Sequence, residues 1–173
     1  MVVASCGATD STRVGFKQAA DEQQVLAELS ALYAEVDAMY VGWSCPSSSE
    51  CCRFGITGKQ PFVTSIEMTA LEGAVARRGG LPSKKKRALP LTDNPEKERV
   101  CPLLSREGKC SVYADRPLGC RTFYCNRAQR GDGPGRDQLR QIVQRLTDLA
   151  ARHRFGGEVS RPLDHVLRGW PSS

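Results

Sequence analysis

The 173-residue chain predicts a small, mainly α, loop-rich domain, with helices packed around a cysteine-ligated metal centre and room for a few short strands. Three observations lead there. Apolar residues recur at three- and four-residue steps in three separate stretches, which is the period of a helix with one buried face. Aromatic content is only 6% while Gly (16) and Pro (10) are plentiful, a balance that leaves a small core needing a staple. Finally, seven of the eight cysteines fall into two tight groups.

Residues 1–18 mix small and polar types without a period and are expected to be flexible, so the single metal-binding domain is taken as 19–173. Its cysteine core spans 45–125 and its C-terminal helical part 136–170. The first helix is expected from Asp21 to Tyr40, with Val25, Leu29, Leu32, Val36 and Met39 on one stripe, widened by Leu26 and Tyr33. Asp21 and Glu22 suit its N-terminus, where the helix dipole favours negative charge. Gly42 and Pro46 then break the chain.

Arg53 to Gly58 alternates apolar residues and glycine and reads as a short strand or turn. Thr64 and Glu67 have capping-box spacing, so a second helix begins there, buries Ile66, Ala70, Leu71, Ala74 and Val75, and ends at Gly79-Gly80. Residues 81–99, with three prolines and the run Lys84 to Arg87, form a linker. Residues 100–127 read as mostly irregular, with a turn at Arg116-Pro117-Leu118-Gly119. After the break at Gly131 to Gly135, a third helix is expected over 137–154, with Leu139, Ile142, Val143, Leu146, Leu149 and Ala150 on one side and Arg140, Arg145 and Arg152 on the other. A short last helix runs from Pro162 to Leu167, proline being well suited to a first helical position.

The chemistry concentrates in Cys45, Cys51 and Cys52, then in Cys101, Cys110, Cys120 and Cys125. Thiolate is a soft anionic ligand that suits zinc and iron–sulfur clusters. Intervals of five, none, eight, nine and four residues between successive sulfurs within the groups are long enough to let several converge on one ion. The vicinal pair Cys51-Cys52 would point to opposite faces of an extended segment, or converge in irregular backbone. Cys6 has no neighbouring sulfur and is set aside. The N-terminus has neither a basic start nor an apolar stretch of signal-peptide length, so a cytoplasmic location is expected, where thiols stay reduced.

Cys-x5-Cys-Cys, Cys-Pro-Leu and Cys-Ser-Val-Tyr-x2-Arg-Pro-x2-Cys-Arg-x-Phe-x-Cys together resemble the YkgJ-type cysteine-cluster family, described as a zinc- or iron-chelating CxxCxxCC domain. The resemblance covers about Cys45 to Cys125 and is most specific in its second half. The first half departs from the family pattern, because only Pro46 to Glu50 lies between Cys45 and Cys51. The resemblance implies binding of iron, as a mononuclear site or an iron–sulfur cluster, or of zinc, with all seven clustered cysteines as candidate ligands. It supplies no reaction and no catalytic residue.

Two other functions are weighed beside metal binding. Seven sulfurs exceed the four of a saturated site, so an open metal position could serve an iron-dependent oxidoreductase or modifying enzyme. A net charge of +6, a pI near 9.0 and the arginines of the third helix would suit a zinc-stapled nucleic-acid-binding module, although bound thiolates offset part of that charge. The expected partners are thus a metal ion or cluster, with a protein partner and nucleic acid as alternatives and no membrane.

Around the sulfurs, Arg116 and Arg121 either donate hydrogen bonds to thiolates or pair on the surface with Asp115, Glu107 or Glu50. Tyr113 and Tyr124 can roof the site, Phe123 belongs to the core, and Pro102 and Pro117 shape turns. His153 and His165 read as surface residues, and Glu67 and Glu72 as capping and helix-surface groups.

Overall fold

A computed structural model describes residues 10–40, 49–82, 99–122 and 133–171, and its fold is mainly α. Helix α1 spans Asp10–Ala38, α2 Phe54–Thr57, α3 Ser65–Ala76, α4 Leu118–Thr122, α5 Arg136–His153 and α6 Leu163–Leu167. Two two-residue strands, β1 (Phe62–Val63) and β2 (Arg161–Pro162), pair antiparallel with Phe62 opposite Pro162 and Val63 opposite Arg161.

Helix α1 begins at Asp10, upstream of the expected Asp21. The stretch Lys17-Gln18-Ala19-Ala20 contains good helix formers and no proline, so backbone propensity extends the helix beyond its apolar stripe. From Val25 onward the stripe is buried: Val25, Leu29, Leu32, Tyr33, Val36 and Tyr40 pack with Ile142, Leu146, Leu149 and Ala150 of α5 and Ile66 of α3. Arg145 and Arg152 on α5 reach back to Glu35 and Glu28 on α1 at 2.7 Å, so two of the three arginines expected on the polar side tie the two helices together.

Helix α3 lies between two cores. Ile66 joins the α1–α5 core, while Leu71, Ala74 and Val75 join a second one with Phe54, Val63, Leu103, Val112, Leu163 and Leu167. A helix that must satisfy neighbours on both sides is apolar around much of its circumference. The expected cap is present, with Glu67 Oε2 accepting the Thr64 backbone N–H at 2.9 Å.

Of the strand or turn expected over Arg53 to Gly58, the structure has the turn, wound as the four-residue helix α2, and Gly58 closes it in the left-handed region at φ 64°. Burial of Phe54 against the second core decides this. The C-terminal segment is laced to the start of α3 by β1–β2, by Leu163 N–H to the Pro61 carbonyl and by Ser65 N–H to the Gly157 carbonyl, both at 2.9 Å. Residues 83–98, which hold most of the expected linker, lie outside the described residues. Among the described residues no helix is long and apolar enough to cross a membrane.

Candidate metal centre

Three chain segments bring cysteines to one place. Glu50–Cys52 is a single 3-10 turn, entered through Ser49 at φ 58°. This tight winding puts both Cys51 and Cys52 on the same cleft, which extended backbone would not do. The Cys101 N–H donates to the Cys52 carbonyl at 2.7 Å and lays the second segment alongside the first. That segment then doubles back through a narrow loop, with a bridge between Leu104 and Cys110, Ser105 N–H to the Lys109 carbonyl at 2.8 Å, and Gly108 at φ 75°. Cys120 arrives on α4, which starts directly after Pro117.

Cys51, Cys52, Cys101, Cys110 and Cys120 therefore line a single cleft of about 280 Å³, with Phe54, Leu103 and Leu163 as apolar wall and Tyr113, Arg116 and Pro117 along one side. All five are free thiols. The Sγ atoms of Cys51 and Cys52 stand 3.8 Å apart. That matches the edge of a tetrahedron built on metal–sulfur bonds of ~2.3 Å, which is roughly 3.8 Å. Among the described residues no three Cys, His, Asp or Glu side chains are already drawn together closely enough to hold an ion.

Each of four thiols is held in its protonated form by its surroundings. Burial drives the Cys120 pKa well above the ordinary thiol value, with Cys110, Cys52 and Cys51 adding to it, and burial likewise raises Cys110. Cys52 is pushed up to about 12, first by its sulfur contact with Cys101. Cys51 is raised further, first by its contact with Cys52 and then by burial, while the Arg116 guanidinium pulls the other way. Crowded thiolates repel one another in low dielectric, and a metal cation reverses that balance by taking the place of the protons.

Of the two arrangements expected for the arginines behind the sulfurs, surface pairing is not the one found. Arg116 and Arg121 are 5% and 1% exposed, and both turn to Asp37 of α1 rather than to Asp115, Glu107 or Glu50. Arg121 is fully engaged: its Nε donates to the Arg116 carbonyl at 2.8 Å, its other nitrogens reach Asp37 and the Ala114 carbonyl, and it stacks 4.2 Å from the Tyr33 ring. Arg116 lies 3.8 Å from the centre of the Tyr113 ring and donates through Nη2 to Asp37 at 3.4 Å. Its Nε is buried and makes no hydrogen bond within the described protein. A buried donor with no acceptor among the described residues, on the wall of a sulfur-lined cleft, fits an anionic sulfur centre.

Glu67, the expected cap of α3, does more than cap, and it is only 1% exposed. Its Oε1 accepts Leu118 N–H at 2.8 Å and Tyr33 O–H at 3.1 Å, and its Oε2 accepts the Thr64 backbone N–H and hydroxyl. It thereby pins the start of α4, two residues before Cys120, to α3 and α1. Asp37 and Tyr33 were also missed as parts of this wall. Tyr33 was legible as apolar stripe, but nothing in the sequence distinguishes Asp37 from an ordinary acidic helix residue.

Cys45 and Cys125 lie outside the described residues, as do Cys6, Phe123, Tyr124 and Lys84 to Arg87. Tyr113 is where a roof residue would be, beside the cleft and 40% exposed. Neither histidine lines the cleft, and His153 Nδ1 instead contacts the Ser65 hydroxyl at 2.9 Å.

Residues 44–141, more than half of the chain, match the family model CxxCxxCC, described as a "putative zinc- or iron-chelating domain". No curated protein and no solved structure matches the chain.

Proposed function

The chain belongs to the CxxCxxCC family of zinc- or iron-chelating domains, and from that premise we propose that it binds zinc or iron through cysteine thiolates in the cleft between α2, the 101–110 loop and α4. One observation carries the reading: five cysteines from three separate segments share one cleft, with no histidine or carboxylate among the described residues of its walls. An all-sulfur donor set selects soft or borderline metals, either zinc or iron in a thiolate or iron–sulfur environment. Cys51, Cys52, Cys101, Cys110 and Cys120 are the ligands drawn from the described residues, and Cys45 and Cys125 complete the set from segments adjoining the cleft in sequence. A reducing, cytoplasmic setting belongs to the same reading, since sulfurs lost to disulfides would not ligate.

Anaerobic purification followed by metal analysis and a visible spectrum tests this. Stoichiometric zinc with no colour, or iron with thiolate or sulfide absorption near about 400 nm, supports the reading and identifies the metal. Metal-free protein that takes up neither Zn2+ nor Fe2+ under reducing conditions would overturn it.

A further inference from the structure

We propose that Arg116 is a positioning residue of the cysteine centre, held from behind by Asp37 so that its Nε–H donates to a metal-bound sulfur and its charge faces the thiolates. The inference rests on the metal-binding reading above and extends it to a residue that is not a ligand.

The contrast with Arg121 carries the inference. Both guanidiniums are buried, but every arm of Arg121 meets a protein acceptor, as a purely structural arginine should. Arg116 is held at one end by Asp37 and on one face by Tyr113, while its buried Nε has no acceptor among the described residues. The cleft that Arg116 lines offers sulfur, which accepts hydrogen bonds well only as thiolate.

Charge points the same way. One carboxylate, Asp37, is shared between two buried guanidiniums. The four acceptor contacts of the nearby buried Glu67 go to Thr64, Leu118 and Tyr33, none of them to an arginine. Burying a cation with half a counter-ion is costly unless an anion completes it. Four thiolates on a divalent ion carry about two negative charges, which is the missing partner. Outer-sphere donors of this kind typically change metal affinity by roughly ten- to a hundred-fold.

The test compares wild type with Arg116→Gln and Arg116→Lys in the full chain, using Zn2+ against a competing chelator and Fe2+ under anaerobic conditions. Thermal melts of the metal-free proteins run alongside. Arg116→Gln is expected to raise the metal dissociation constant by about ten-fold or more. Arg116→Lys, which keeps the charge and loses the planar Nε–H, should fall between the two. Arg116→Gln that folds and binds within about two-fold of wild type would overturn the proposal. If Arg116→Gln does not fold, Arg116→Lys decides alone, and unchanged affinity there overturns the proposal equally. Wild type that binds neither metal would instead sink the metal-binding reading itself, an outcome visible before any variant is compared.

Discussion

Glu67 shows how much one side chain can organise here. It was readable as a helix cap, yet its carboxylate also takes the Leu118 N–H and the Tyr33 hydroxyl, so one buried group joins α1, α3 and the turn that delivers Cys120. Glu67→Ala should therefore leave several buried donors unsatisfied and cost about 3 kcal/mol or more by urea denaturation. The pH dependence has a defined sign. Burial raises the Glu67 pKa above its ordinary 4.5 against the hydrogen bonds from Thr64, Leu118 and Tyr33 that favour the ionised form. A folded pKa above the unfolded one means that the group's contribution to stability is full below about pH 4.5 and is lost as pH rises through the folded value. That segment of the stability–pH profile should disappear in Glu67→Ala, and its persistence would show that another group is responsible.

Among the elements, the short pieces matter more for the cleft than the long helices. A 3-10 turn aims both vicinal cysteines the same way, and four- and five-residue helices set the cleft's walls. Close backbone packing matters elsewhere too, most clearly at Gly157. A Cβ there would stand 2.2 Å from the Ala150 carbonyl and 2.4 Å from the Ser65 hydroxyl. Gly157→Ala should force the end of α5 away from the start of α3 and lower stability by roughly 2 kcal/mol, more than most single surface changes. A melting temperature equal to wild type would mean that this junction yields without cost. The long helices α1, α3 and α5 were legible because a 3.6-residue apolar period survives over many residues, whereas α2 and α4 are too short to show one. Their form is set by what they pack against: Phe54 and Leu118 enter two different cores.

At the scale of the whole molecule, two cores meet across α3, and the sulfur cleft sits at the edge of the second, with partly buried Cys52, Cys110 and Cys120 packed against it. A metal there would join segments 51–52, 101–110 and 120, which are otherwise linked by a few hydrogen bonds and apolar contacts. Loading with the bound metal should accordingly raise the melting temperature, and chelation under reducing conditions should lower it, by several degrees in a scan of full-length protein. A melt indifferent to metal would place binding apart from folding. Sequence by itself determined the helical class, the three long helices, the Thr64–Glu67 cap and the identity of the cysteines worth watching, because period, capping and ligand chemistry are local or compositional properties. Only tertiary structure decided that the vicinal cysteines face one cleft, that Arg116 and Arg121 share Asp37 and that Glu67 is buried. Those facts depend on which distant residues a side chain meets, and for a charged residue on a helix the local sequence carries almost no information about its partner.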